Sequence, residues 1–461
     1  MYHRYHLQTD SAPDVASLPS HFLVRVSKPG LAEFLLKEFV HYRGNRTIIL
    51  NRPCLYGVFS GPVGGFAPRE QLCVGCLRCT TQYPEFVQIL PNPARSRLGD
   101  SYFTPDRVET IGYEARSGKI PVKGAGYRGL FGGAGWDSMW TDMSEIVRPT
   151  RDGIHGREFI STVIDIGKKP SCLAFSEGQL SSEPLQVFSI PIPVVFDVPP
   201  DPLLTDTIVR ILASAAEAAE TLVVAPIESL RKTVVQGRHI VPLITSAQAA
   251  PLEDLHFEPA MLELAEWDPQ LLEQVQRGFP GSIVCLRMEL PSTKALLQAV
   301  ASGVRVFHLL ANYHGRGKDG RFAIDLFREA HKALVAERCR DDVTILGGGG
   351  IIAAEHVPKA IICGCDGVSL DTPLLVALQA RFVGEAVRRE TSSFKLPAGL
   401  TVDWGVKRII NLMASWRDQL LEVTGAMGLR EVRRMRGEMG RAMFQEDLEK
   451  EAFSEIAGYA S

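Results

Sequence analysis

Between about residues 181 and 395, short apolar runs rich in β-branched residues alternate with stretches whose apolar positions recur at helical spacing. The runs are Pro191–Val198, Thr221–Ile227, His239–Thr245, Phe257–Leu264, Ser282–Leu290, Arg305–Tyr313, Asp342–Gly348 and Gly367–Thr372. Each reads as a strand. The fourth runs into MLELAEW, which suits a helix equally well. Helical patterns cover Asp206–Glu220, Pro269–Arg277, Thr293–Ser302, Phe322–Arg338, Glu355–Cys363 and Leu374–Arg389. Strands alternating with helices imply right-handed βαβ units and a parallel sheet. Eight units in about 210 residues fit an α/β fold of the (β/α)8 TIM-barrel class. A doubly wound open sheet is the competing architecture. Its glycine-rich turn belongs at the first βα junction. Here that turn comes late, at Gly347–Gly350, which favours the barrel.

The flanking regions read differently. Residues 1–180 are rich in Gly, Pro, Arg and aromatics and show little periodicity. Residues 396–461 look helical and highly charged, after a linker at Leu396–Leu400. There, WGVKRIINLMASWRDQLLEV predicts an amphipathic helix ended by Gly425 and Gly428. The next stretch, LREVRRMRGEMGRAMFQEDLEKEAF, carries Arg430, Arg433, Arg434, Arg436 and Arg441. It reads as a solvated or subunit-facing helix in preference to an anion site. The expected organisation is an N-terminal region 1–180, a barrel 181–395 and a C-terminal helical extension 396–461.

Composition narrows the function. Hydrophobic residues make up 45% of the 461 and charged residues 22%, which excludes global disorder. Lys and Arg number 50 against 53 Asp and Glu, a formal charge of −3. That balance leaves no electrostatic footprint for nucleic acid. No segment approaches the ~18 uncharged apolar residues of a membrane span. The N-terminal MYHRYHLQTDSAPDVASLPS lacks the apolar core of a secretory signal, so a cytoplasmic location is expected.

Of the nine cysteines, three fall in CVGCLRC as Cys73, Cys76 and Cys79. The C-x2-C-x2-C spacing wraps thiolates around one face of a compact cluster and matches the start of a ferredoxin-type run. The run's last cysteine is replaced by Tyr83, followed by Pro84. Cys54, in RPCLYG, is the other cysteine before Cys172, and the loop-like GVFSGPVGGFAPRE between them can fold back. The expected site is a [4Fe–4S] cluster on Cys54, Cys73, Cys76 and Cys79, with a [3Fe–4S] cluster on the last three as the variant. Four thiolates also suit zinc, although zinc sites usually pair two separated C-x2-C units. Cys172, Cys285, Cys339, Cys363 and Cys365 read as small apolar residues.

After the seventh strand, LGGGGIIAAEHV brings successive backbone N–H groups into the open and leads into a helix near Ala353. Barrels frequently bind phosphate at the loops after strands seven and eight. The phosphate of FMN is a natural candidate, and a tight turn serving packing alone is the alternative. His314 and Arg316 follow the sixth strand at the mouth where barrel enzymes carry catalysis. His308 lies within that strand, and a hydrogen-bonded core histidine is the commoner role for it. Arg287, two residues after Cys285, is placed to meet an anionic group. Arg148, Arg151, His155 and Arg157 gather in a Gly- and Pro-containing segment expected to wrap the barrel or line an interface.

From about Ile160 to Phe453 the chain resembles the FMN-binding synthase domain of glutamate synthase. The resemblance is carried by REFISTVIDIGKKP with IPIPVVF, by AIDLFREAHKALVAERCRDDVTILGGGGIIAAEHVPKAIICGCDGVSLDTPLLVALQ, and by WGVKRIINLMASWRDQLLEVTGAMGLREVRRMRGE. It implies FMN at the C-terminal mouth, with Gly348, Gly349 and Gly350 on the phosphate beside Asp371 and Thr372. It also implies iron–sulfur electron relay to a flavin. The departures are specific. The family's Gly-Met-Ser-Phe-Gly loop reads FDVPPDP (Phe196–Pro202), and its flavin-side lysine reads Cys285. The loop after strand six reads ANYHGRGKDG, and the Gly-Thr after strand eight reads Asp371-Thr372. The family's own cluster cysteines after strand eight are absent, so the N-terminal motif stands in for them. No amidotransferase module is expected. The resulting expectation is an iron–sulfur flavoprotein oxidoreductase with Cys285, His314 and Arg316 as catalytic candidates. Its partners would be other redox subunits or further copies of itself, and its small-molecule substrate is open. The alternative is a barrel without flavin, serving as a scaffold or electron-transfer subunit.

Overall fold

The computed structural model describes residues 5–45, 54–60, 64–121, 132–141, 160–167, 175–180, 186–233, 235–246 and 255–458. The chain divides into two compact units, residues 16–105 and residues 1–15 with 106–461.

In the smaller unit, Phe22–Val26 pairs antiparallel with Val87–Pro91. The helix Lys28–His41 starts where Ser27 accepts from the Gly30 N–H and Pro29 sets the first turn. Two small apolar clusters hold the unit together. One gathers Val24, Val58 and Cys73, and the other Leu31, Phe86 and Val87.

The larger unit is a closed barrel of eight parallel strands. In chain order they are β1 (Val194–Phe196), β2 (Val223–Pro226), β3 (Ile240–Ile244) and β4 (Met261–Leu264). They continue as β5 (Ile283–Glu289), β6 (Val306–Leu310), β7 (Thr344–Gly348) and β8 (Gly367–Leu370). Every neighbouring pair is parallel, and β8 closes on β1. All eight apolar runs are therefore strands. The strands are buried on both faces because helices cover the outside and side chains fill the inside, so they read as continuous runs rather than alternations. Val195, Val224, Val241, Met261, Cys285, Val306 and Leu346 share one core cluster.

The outer helices are α1 (Asp206–Ala218), α2 (Ile227–Thr233), α3 (Pro269–Gly278), α4 (Thr293–Ala301), α5 (Ala323–Ala336), α6 (His356–Ile362) and α7 (Thr372–Ala377). Two expectations are corrected here. The helix expected over Leu374–Arg389 ends at Ala377, and Gln379 turns left-handed at φ 59°. The chain then forms a hairpin, Arg381–Phe382 against Phe394–Lys395. The charged C-terminal stretch is likewise not one helix. It makes a short 3-10 turn at Val432–Met435, a strand Ala442–Phe444 paired with Met139–Thr141, and the helix Gln445–Phe453.

The long helix α8 (Val402–Ala426) forms as expected, capped by the Thr401 hydroxyl. Its Arg408 has no exposed surface. The guanidinium donates to Ala377 O, to Ala12 O at 3.0 Å, to Asp14 Oδ1 at 2.8 Å and to Gly112 O at 3.4 Å. One turn on, the Asn411 amide donates to Asp10 O and Ala115 O. These two side chains fasten the N-terminal segment and the helix Pro105–Ser117 to the barrel's outer layer. Arg408→Met should therefore cost about 3 kcal/mol, because it leaves the Ala377, Ala12 and Gly112 carbonyls without this donor, while Asp14 keeps its ion pair with Arg116. A fall in thermal midpoint measured by circular dichroism checks this, and an unchanged midpoint contradicts it.

Candidate functional site

The first candidate site is built from two loops of the smaller unit. Cys73 follows the 3-10 turn Glu70–Leu72, Cys76 lies between two left-handed residues, and Cys79 is the second residue of the short helix Arg78–Gln82. Gly75 has φ 66° and Leu77 has φ 60°. Together they curl the chain so that successive cysteines face one centre. Gly75 is required twice over, since a Cβ there would lie 2.3 Å from the Phe22 ring. Cys54 enters from the other loop. All four cysteines are free thiols, and all four line one small recess with Tyr56, Val58, Phe59 and Ile89. Burial raises the Cys73 thiol above its ordinary range, and the Gly75 N–H bonded to it works the other way. The neighbouring Cys54 and Cys76 then push it up further. Cys79 is raised by burial and by Cys73 and Cys76, against the Thr80 N–H. Mutual repulsion of this kind is what a bound cation relieves. Tyr83, which occupies the fourth position of the motif, packs instead against Phe34 and Phe86.

The second candidate site is the C-terminal mouth of the barrel and the polar network beneath it. Glu263 on β4 has no exposed surface. Arg287 on β5 donates to Glu263 Oε1 and to Asp197 Oδ1, just after β1. His308 on β6 sets Nδ1 at 2.9 Å from Glu263 Oε1 and Nε2 at 2.7 Å from Ser369 Oγ on β8. Burial raises the Glu263 carboxyl, but Arg287 and then His308 outweigh it and hold it well below the usual carboxylate range. Above this network stand Tyr313 and Asp371. Burial and then Asp197 push Asp371 up to about 6. Burial, Asp371 and Asp197 raise the Tyr313 phenol well above its ordinary range. The hairpin after α7 closes over them, with the Tyr313 N–H donating to Val387 O at 2.9 Å. The hydroxyls of Tyr313, Thr372 and Ser392 are buried without a hydrogen-bond partner among the described residues.

The other expected residues fall as follows. Gly348 ends β7, Gly349 and Gly350 follow it, and all three are buried, as is everything from Gly347 to Ala354. The helix expected to start near Ala353 starts at His356. In front of it, Arg107 grips Asp137 through two bonds of 2.8 and 2.7 Å and Glu355 through one of 2.8 Å. The His356 Nε2 lies 3.2 Å from Asp137. Gly348 sits against the network, since a Cβ there would meet Ser369 Oγ at 2.3 Å. His314 is half-buried, 3.9 Å from Glu385. Arg316 is exposed and bends back to Gly320 O at 2.9 Å. Cys285 lies below the mouth in the apolar core, and burial keeps its thiol protonated. Arg287, two residues on, occupies the polar position that strand supplies. Cys172, Arg148, Arg151, His155 and Arg157 lie outside the described residues. A cavity of about 230 Å³ opens at the other end of the barrel, by Ser282 and Arg305. Barrel enzymes carry their chemistry at the C-terminal face, so the polar mouth outranks it as a site.

Sequence reasoning missed Glu263, Asp197 and Tyr313. Glu263 sits in the ambiguous MLELAEW, where one acid among apolar residues looks like the outer face of a helix. The signal that points to it is a lone acid in a run that other strands make apolar.

The raised Asp371 carboxyl makes a signed prediction. Folded protein binds its proton up to about pH 6, whereas the unfolded chain releases it near 3.8. Stability therefore falls as pH rises between these values. Asp371→Asn should melt higher than the parent above pH 6, with the gap closing toward pH 4. Parallel melting curves across that range would contradict it.

The conserved region of glutamate synthase matches residues 322–430. That stretch runs from α5 through the glycine turn, β8 and the hairpin into α8. The archaeal-type glutamate synthase (NADPH) of Dehalococcoides mccartyi is 23% identical, covering 80% of this chain and 86% of that protein. The archaeal glutamate synthase (NADPH) of Archaeoglobus fulgidus is 23% identical over 90% of this chain and 96% of its own. Among solved structures, a mandelate oxidase variant with (S)-mandelic acid covers 65% of this chain and 97% of its own at 16% identity and TM-score 0.41. No helix among the described residues is long and apolar enough to cross a membrane. The chain is thus similar to the glutamate synthases, over residues 322–430 through their conserved region and over most of its length through relatives at 23% identity.

Proposed function

We propose that this chain is an iron–sulfur flavoprotein oxidoreductase that exchanges electrons between a partner protein and a small-molecule substrate, as one component of a larger assembly. The observation that carries it is the convergence of Cys54, Cys73, Cys76 and Cys79 on one recess. Their three-in-seven spacing favours an iron–sulfur cluster over zinc. FMN is the second cofactor, by likeness to the glutamate synthases.

The barrel mouth offers what such a flavin needs. Thr372 Oγ1 is fully buried and unpartnered beside the end of β8, and Gly349 and Gly350 hold left-handed turns at φ 106° and 67°. Thr372 and Gly348–Gly350 are therefore the residues for the phosphate. Asp371 retains a proton more readily than an ordinary aspartate, which reduces its repulsion of a nearby dianion. A cluster supplies one-electron transfer, and a flavin couples it to two-electron chemistry on the substrate. This chain's residues do the rest. Arg287 bonds both Asp197 and Glu263 and offsets one of their two negative charges, which lessens the repulsion an anionic group meets at the mouth. The Tyr313 phenol stays protonated and presents a hydrogen-bond donor. Asp371 keeps part of its surface open and can take or give a proton near neutral pH. His314 and Arg316 line the loop after β6, where a substrate would pass.

Protein purified without oxygen should contain about four iron and four sulfide per chain, together with released FMN. Cys73→Ser should lose iron and sulfide while keeping the flavin. Zinc without sulfide, or flavin absent even after FMN is added, would overturn the assignment.

A further inference from the structure

The cavity of about 230 Å³ at the N-terminal end of the barrel lies opposite the mouth, against β5. Ile283 and Cys285 belong to the barrel's core cluster, so Val284 between them points outward, toward the helix layer. Val284 lines the cavity, with Leu272 on α3, Phe279 just after that helix, and Val304 in the turn before β6. Gly303 in the same turn is left-handed at φ 98°, and a Cβ there would meet no atom within 4 Å. The turn therefore leaves the space beside it open.

One charged group faces this space. Arg305, the residue before β6, is half-buried, and its Nη1 donates to Val300 O at 2.6 Å and to Val304 O at 2.9 Å. Two backbone carbonyls thus hold the guanidinium in place, and its remaining nitrogens have no hydrogen bond among the described residues. No acidic side chain among the described residues pairs with it either. A fixed guanidinium beside apolar walls, with no carboxylate of its own, is a preformed seat for an anionic oxygen pair. Ser282 is no rival for that role, because its hydroxyl is committed to Pro259 O at 2.6 Å. None of the described residues lining the cavity is an acid, a histidine or a cysteine, so it can hold a ligand but offers no group to transform one.

We propose that this cavity is a binding site for a small monocarboxylate whose apolar body is no larger than one ring. The carboxylate pairs with Arg305, and the body packs between Val284, Leu272 and Phe279. Size and charge set the class. An apolar cavity of about 150 Å³ accepts benzene, so the space here takes a ring with a carboxylate attached. Sites for drug-sized ligands start at about 300 Å³, which leaves nucleotides and flavins outside its range. A single arginine balances a single negative charge. The site stands at the N-terminal ends of β5 and β6, the strands whose other ends carry Arg287 and His308. It needs neither a cluster nor a flavin, so it stands or falls independently of both.

The test titrates the full chain with benzoate by isothermal calorimetry. Benzyl alcohol keeps the ring without the charge, and acetate keeps the charge without the ring. Benzoate should saturate one site per chain with a dissociation constant below about 1 mM. Benzyl alcohol and acetate should each bind at least about ten-fold more weakly. Arg305→Gln should weaken benzoate about ten-fold or more, whereas Arg305→Lys, which keeps the charge, should lose less. Val284→Phe, which fills the space and keeps the arginine, should abolish binding. Circular dichroism confirms that each variant is folded before it is titrated. Failure of benzoate to saturate at about ten times that concentration would overturn the proposal. So would equal binding of benzyl alcohol or acetate. Benzoate affinity unchanged in Val284→Phe would place the ligand elsewhere, at the mouth or on the surface, and overturn it too.

Discussion

A carboxylate with no exposed surface has to be compensated where it sits, and Glu263 imposes that condition on the whole barrel. The compensation comes from Arg287 on the next strand and His308 on the strand after that. Arg287 can serve Glu263 only by also serving Asp197 at the end of β1, and His308 only by reaching Ser369 on β8. One buried charge thus links β1, β4, β5, β6 and β8. A one-residue slip of any of these strands would turn a charged group into the apolar layer or away from its partner. The network fixes the register of the barrel and also sets the electrostatics of its mouth. Asp197 is spoken for by Arg287, yet, together with burial, it still pushes the Asp371 carboxyl up to about 6 and adds to the raised Tyr313 phenol.

The smaller unit solves a different problem. Its clusters are only a few residues each, and Cys73 is itself one of the buried members. Core and ligand set therefore coincide. A domain of this size has a marginal core, and metal ligation is a common remedy. The curl through Gly75 and Leu77 uses two left-handed residues close together, and one of them is not glycine. Such a backbone conformation is uphill by itself and is retained where the surroundings over-determine it.

Much of this was legible in the sequence. Eight apolar runs gave eight strands, because strands buried on both faces produce continuous rather than alternating hydrophobicity. The helix α2 was not read, since Ile227 continues the apolar run of β2 and hides the change of period. The reading of Leu374–Arg389 as one helix failed at Gln379, whose left-handed turn carries no glycine to announce it. The charged C-terminal stretch was misread because its arginines are recruited individually: Arg436 binds Asp366 and Asp341, and Arg433 binds Asp165. Long-range pairs leave no periodic trace. The same is true of the mouth, where Asp197, Glu263, Arg287, His308 and Ser369 are spread over more than 170 positions and meet only after closure. The cysteine motif was legible because its geometry is local.

The central claim is that one chain joins a one-electron thiolate centre to a two-electron flavin. Anaerobic titration with dithionite, followed at the flavin and cluster absorption bands, tests it most directly. The account predicts uptake of about three electrons per chain, one at the cluster and two at the flavin. Uptake of about two with no iron-dependent change, or of none, would contradict it.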